Sequence, residues 1–181
     1  TPPDFDKALD YYQQAIDAGI AYAANDLGLL HSRGAIPGAN DADALKYYEL
    51  GCEMGDVTAC GNVGWMHVHD RVANPDKAFG RARLDEACSV EEGWACRSLA
   101  HQHLDKEFKG ANDTDALRLF ARACELGDAN GCGNEGWMHG EERVQNRDME
   151  LAAARLATAC DGEDAWACNY LGHMHINDYF S

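Results

Sequence analysis

Cysteine and histidine are the residues of this chain best suited to chemistry, and both are spaced by rule. Eight cysteines form four pairs, Cys52/Cys60, Cys88/Cys96, Cys124/Cys132 and Cys160/Cys168, with partners eight apart and successive pairs 36 apart. An even count, each cysteine with a partner at constant spacing, points to disulfides and an oxidising compartment. Zinc would call for C-x2–4-C pairs converging on one site, whereas these pairs are spread along the chain, and neither a redox C-x-x-C nor a haem-attaching C-x-x-C-H occurs. His31, His67, His103, His139 and His175 recur at the same 36-residue step. At 100° per residue, Cys60, Val63, Gly64 and His67 share one helix face, the face that must pack. Equivalent helices stack about 8–10 Å or more apart, too far for matching imidazoles to hold one ion, so this column reads as packing. The His-x-His pairs at 67/69, 101/103 and 173/175 point about 200° apart on a helix, where chelation would need i, i+4. Met66, Met138 and Met174 fall at the edge of the packed arc and read as core filler rather than copper ligands.

The elements that must position these residues follow from the period. A fixed step of this size marks a solenoid of repeats that bury apolar faces only against their neighbours. The register extends to a first repeat without cysteines, where Ile16 and Ala24 take the two positions. It aligns Ala23, Ala59, Ala95, Gly131 and Ala167, and then Gly28, Gly64, Ala100, Gly136 and Gly172, two columns of minimal side chains that let another helix approach closely. A second helix is marked by Ala8, Ala44, Ala116 and Ala152, followed by bulky residues such as Tyr11-Tyr12, Tyr47-Tyr48 and Leu119-Phe120. Apolar recurrence at i, i+3, i+4 and i+7 makes both kinds amphipathic helices. The pattern predicts helices near 20–33, 57–69, 93–105, 129–141 and 165–177, with partners near 5–18, 42–54, 76–89, 114–126 and 148–160. Gly55 and Gly127 read as helix stops, and each cysteine pair spans the short turn between two helices, which brings its sulfurs within reach of each other. Closing about nine residues is worth roughly 2.5 kcal/mol per bridge. A 72-residue period overlies the short one: CEMGDVTACGNVGWMH returns as CELGDANGCGNEGWMH, and GAND at 38–41 returns at 110–113.

Helix pairs of 36 residues carrying A-x-x-x-G-x-x-H, a following A-x-x-Y-Y and cysteines eight apart resemble the Sel1-like repeats of the tetratricopeptide-like solenoids, and within them the cysteine-rich exported branch. The resemblance covers essentially the whole chain. It implies an all-α solenoid of about five antiparallel helix pairs in a right-handed superhelix, with one disulfide per complete repeat. It implies an adaptor or scaffold rather than a fixed reaction. Residues 1–181 then read as a single repeat domain, either processed or cut: Thr1-Pro2-Pro3-Asp4 has neither an initiator Met nor a signal peptide, and the chain stops at Asn177 to Ser181 where another helix is due.

The surface points to a protein partner. A formal charge of −16, from 31 acidic and 15 basic residues, repels nucleic acid and anionic lipid and suits a peptide or protein with a basic surface. No run approaches the roughly 18–20 apolar residues of a membrane span. On the helix face opposite the cysteines lie Asn62, Trp65, His69, Trp94, His101, Asn134, Trp137, Trp166, Tyr170 and His173, including all four tryptophans. A row of tryptophans on a non-packing face suggests a recognition surface, and the resemblance places it on the concave side. The alternative is that neighbouring repeats bury these rings. No catalytic residue, metal ligand or cofactor is assigned. Some cysteine-rich relatives are associated with β-lactam hydrolysis, but Ser-x-x-Lys, K-T-G, H-E-x-x-H and glycine-rich phosphate loops are all absent. The expectation is a periplasmic or secreted scaffold, with the mitochondrial intermembrane space as the other oxidising location, acting as an adaptor, assembly factor or immunity-type protein. A metal- or haem-binding protein is the second reading and a β-lactam-binding hydrolase the third. The repeats alone leave the oligomeric state open.

Overall fold

Short turns between helices with small-residue faces give antiparallel hairpins, and the computed structural model shows ten helices and no strand among the described residues, 3–141 and 143–176. They are α1 (Phe5–Asp17), α2 (Ala21–Ser32), α3 (Asp41–Glu53), α4 (Val57–Val68), α5 (Lys77–Ser89), α6 (Gly93–Leu104), α7 (Asp113–Glu125), α8 (Ala129–Gly140), α9 (Met149–Asp161) and α10 (Ala165–Ile176). The predicted helices match these to within one residue at almost every end; the predicted last residue, Asn177, lies outside the described residues, as do Thr1, Pro2 and the stretch 178–181. The chain divides into two compact units, Thr1–Val90 and Glu91–Ser181. No described helix is long and apolar enough to cross a membrane. Even-numbered helices are called A helices here and odd-numbered ones B helices.

Much of the acidic surplus starts helices. The carboxylates of Asp4, Asp56, Asp76, Asp128 and Asp148 each accept the backbone N–H three residues on, and Asn40 and Asn112 do the same for α3 and α7. Each such cap is worth about 1 kcal/mol. The turns that close α1, α3 and α7 place Gly19, Gly55 and Gly127 at φ 86°, 96° and 86°, where a Cβ costs roughly 1–2 kcal/mol. After α5 and α9 the same column is held by Glu91 and Glu163 at φ 76° and 67°, so two of five turns carry that strain.

Two kinds of contact hold the helices. Each A helix meets its following B helix through the small-residue column. A Cβ on Gly64 would lie 2.6 Å from the Gly80 carbonyl oxygen, and one on Gly136 would lie 2.8 Å from that of Ala152; only a bare backbone permits this approach. Where a cysteine pair spans the turn, cystine then clips the B helix to the next A helix. In the first unit Cys52–Cys60 joins α3 to α4 with Cα atoms 4.6 Å apart; in the second, Cys124–Cys132 joins α7 to α8 at 4.4 Å and Cys160–Cys168 joins α9 to α10 at 4.7 Å. Cys88 and Cys96 are also disulfide-bonded. At the first turn, Ile16 and Ala24 fill the cystine positions and are buried.

Candidate partner-binding faces

In the first unit the stripe opposite the cysteines is part-used by the fold. Asn62 donates to the buried Asn25 Oδ1 at 2.8 Å, tying α4 to α2. Trp65 is half-buried against the cluster of Ala44, Tyr48, Val63 and Met66, with Leu29, Leu45 and Val72 around it. The exposed His69 ring lies 4.6 Å from the indole, and the Arg71 guanidinium covers it at 5.6 Å. Arg71 is itself fixed by a two-pronged ion pair with Asp41, Nε to Oδ2 at 2.6 Å. That bonding holds the Asp41 carboxyl below the usual carboxylate range and raises Arg71. Asp41 is the first residue of α3 and also meets its helix dipole, so a B helix start, a loop arginine and an A helix tryptophan form one stack.

The second unit repeats the stack 72 residues on. Arg143 lies 5.5 Å over Trp137 and donates from Nε to Asp113 Oδ2 at 2.9 Å. Trp94 is half-buried, its indole N–H donating to Glu92 at 2.9 Å. Asn134 donates to the Asn130 carbonyl oxygen of its own helix at 2.7 Å. On α10, Trp166 is 47% exposed and stacks on Tyr170 at 5.5 Å and 24°. The Tyr170 hydroxyl donates to Glu141 at 2.8 Å, and the ring edge lies against Gly140. His173 is exposed one turn further along the same helix.

The stripe is therefore uneven. The tryptophans do not all project from a bare face: Trp65 and Trp137 flank the packed arc under an arginine, because positions 29, 65, 101, 137 and 173 form a column at its edge. His101, in that column and half-buried, lies edge-on to the fully buried Phe120 at 5.0 Å. Three of the histidine column meet aromatic rings: His31 stacks on Tyr47 of α3 at 5.4 Å, His67 meets Phe79 of α5 at 5.0 Å and His103 meets Phe108 of the α6–α7 loop at 4.8 Å. His139 is buried and His175, on α10, is exposed. Met66, Met138 and Met174 are all in the core. Sequence reading missed Arg71 and Arg143; their return at the 72-residue step, after equivalent tryptophans, was the available signal.

Comparison with known proteins settles the repeat type. The Sel1 repeat profile matches residues 1–20, 21–56 and 95–128. Over those stretches the chain matches the Sel1 repeat. Among solved structures, c5321, a protective antigen of uropathogenic Escherichia coli strains with an SLR fold, has TM-score 0.77 and 20% identity over 93% of this chain, which spans 36% of that protein's length. A Sel1 repeat protein from Oxalobacter formigenes has TM-score 0.76 and 19% identity over 97% of this chain and 72% of its own. Cysteine rich protein B of Helicobacter pylori has TM-score 0.54 and 22% identity over 72% of this chain and 94% of its own. At these identities the likeness is one of fold. No match was found among curated proteins. The Sel1 repeat is a scaffold suited to protein–protein interaction.

Proposed function

We propose that this chain is an exported Sel1 repeat scaffold that holds a protein or peptide with a basic surface against the A-helix stripes. The observation that carries this reading is the Trp166–Tyr170 stack: two large rings ordered against each other, with Trp166 47% exposed. Rings already held in one geometry lose little rotamer freedom on binding, which is the character of an interface anchor. Asn62, Trp65 and His69 in the first unit and Trp94, Asn134, Trp137 and His173 in the second supply further contact groups, and the net charge of −16 favours a cationic partner through its encounter rate. Export is supported by the paired cysteines, since structural disulfides persist in oxidising compartments, and by the likeness to a cysteine-rich protein; the periplasm or the exterior is the location proposed.

The test is capture from the host's periplasmic or secreted fraction on immobilised protein, read by mass spectrometry and repeated with Trp166→Ala and Tyr170→Ala together. A specific protein held by the wild type and lost from the variant, at unchanged helicity and Tm, supports the proposal. Equal capture by both would overturn the anchor assignment.

A further inference from the structure

In the second unit, Leu117 of α7, His139 of α8 and Arg143 and Val144 of the following loop line a cavity of about 450 Å3, with Thr114, Gln145 and Asn146 exposed around them. That volume falls in the roughly 300–1,000 Å3 of small-molecule sites. The residues one 72-residue step earlier are used differently. Leu45 and Val72, the counterparts of Leu117 and Val144, pack against the apolar cluster of Ala44, Tyr48, Val63 and Met66. His67 Nδ1 accepts the Asp76 backbone N–H at 3.0 Å, and its ring meets Phe79. The counterpart of Phe79 is Leu151, and that of Ala73 is Gln145, which adds an amide to the rim. His139 is 8% exposed, and its Nδ1 has no hydrogen-bond partner among the described residues. An unpaired buried polar atom costs about 1–3 kcal/mol, a cost that His67 avoids.

The lining favours an anion. The chain holds 31 acidic and 15 basic residues, yet the cavity is lined by one cation, Arg143, and by no carboxylate. Two neighbouring acids are already paired: Asp113 accepts from Arg143 Nε at 2.9 Å, and Glu135, one turn before His139, lies 2.9 Å from Arg155 Nε. A guanidinium with its Nε engaged keeps four further N–H donors, in the planar fork that matches a carboxylate. The Gln145 and Asn146 amides and the Thr114 hydroxyl add hydrogen-bonding groups, and Leu117 and Val144 supply a short apolar wall.

We propose that this cavity binds a small carboxylic acid with a short apolar stem. The carboxylate takes N–H bonds from Arg143 and from the His139 ring, the stem lies on Leu117 and Val144, and the rim amides hold a polar group carried on the stem. Arg143 is oriented beforehand by its bond to Asp113 and its place over the Trp137 ring, so little side-chain freedom is lost on binding. The site takes a small molecule and does not depend on the protein partner proposed above.

Titration of the isotope-labelled full chain with N-acetyl-leucine to about 10 mM, followed by NMR, tests the site, with N-acetyl-leucinamide as the neutral control. The acid should give saturable shifts of the Leu117, Val144 and Gln145 backbone amides and of the His139 ring signals, at a Kd near or below about 1 mM. The leucinamide lacks the charge and should bind at least about tenfold more weakly. Arg143→Gln removes the fork and should abolish the shifts. That change also uncovers Trp137, so a second variant is needed: Val144→Trp fills the cavity, keeps the guanidinium and should abolish them too, at wild-type helicity. No saturable shift with the acid would overturn the proposal. So would equal binding of acid and leucinamide, or binding that survives both substitutions.

Discussion

The two units carry nearly the same sequence block and solve one packing problem differently. On α4 the position after Asn62 is Val63, buried in an apolar cluster; on α8 it is Glu135, 3% exposed. The arginine one B helix on changes role to suit. Arg83 pairs with Glu86 of its own helix at 2.9 Å, while its counterpart Arg155 reaches Glu135 at 2.9 Å. Burial still dominates, lifting the Glu135 carboxyl above its usual range despite the nearby guanidinium. The neighbouring histidines differ as well: His67 Nδ1 accepts the Asp76 backbone N–H at 3.0 Å, whereas the buried His139 Nδ1 has no hydrogen-bond partner among the described residues, and His139 borders a cavity of about 450 Å3 with Arg143, Gln145 and Asn146. What stays constant is the glycine column, the caps and the cystines. A Sel1 repeat can therefore vary its packed side chains so long as the backbone contact beneath them is kept.

This contrast can be broken most severely by reduction. The second unit contains two bridges wholly within it and the first contains one, and each is worth roughly 2.5 kcal/mol. Hydrogen exchange after mild reduction should therefore rise more on α7 to α10 than on α1 to α4. Next in size, Gly64→Ala forces a methyl into the Gly80 carbonyl and should cost about 2–3 kcal/mol. Gly172→Ala, with open space above it, should gain about 0.5–1 kcal/mol from helix propensity; thermal unfolding of both variants checks the pair. Glu135→Val made together with Arg155→Leu replaces the buried pair with apolar groups and should raise stability by about 1–2 kcal/mol. Its sign with pH is fixed: a carboxyl whose folded pKa is raised costs nothing below its ordinary value of 4.5 and costs progressively more as pH rises through the folded value. The gain from the double replacement should thus be larger at pH 7 than at pH 4. Smallest, Glu163→Gly restores the column's glycine at φ 67° and should stabilise by about 1 kcal/mol, whereas Gly55→Glu should lose about as much.

The periodic part of the fold is legible in sequence because it is local. Helix ends follow from Asp and Asn caps three residues from their targets, and from Gly19, Gly55 and Gly127 in turns that need positive φ. The cystines follow from two positions eight apart across one turn. The site is less legible because its decisive contacts join residues far apart in sequence. Arg71 finds Asp41 and Arg143 finds Asp113 across 30 residues, and nothing local to Trp65 or Trp137 says that a guanidinium covers it. His101 sits where a helical wheel marks the edge of the packed arc, and only the fold brings it edge-on to Phe120 of the facing helix. Glu135 reads as a surface carboxylate until Arg155 is brought beside it.

The central claim is that the cystine and glycine faces hold the chain together while the A-helix stripes hold a partner. Hydrogen–deuterium exchange of the chain with and without its captured partner tests this directly. The account predicts slowed exchange on the A helices, strongest on α10 around Trp166 and Tyr170 and next on α8 around Asn134, with α5 and α9 unchanged. Protection confined to the B helices, with α8 and α10 unaffected, would contradict it.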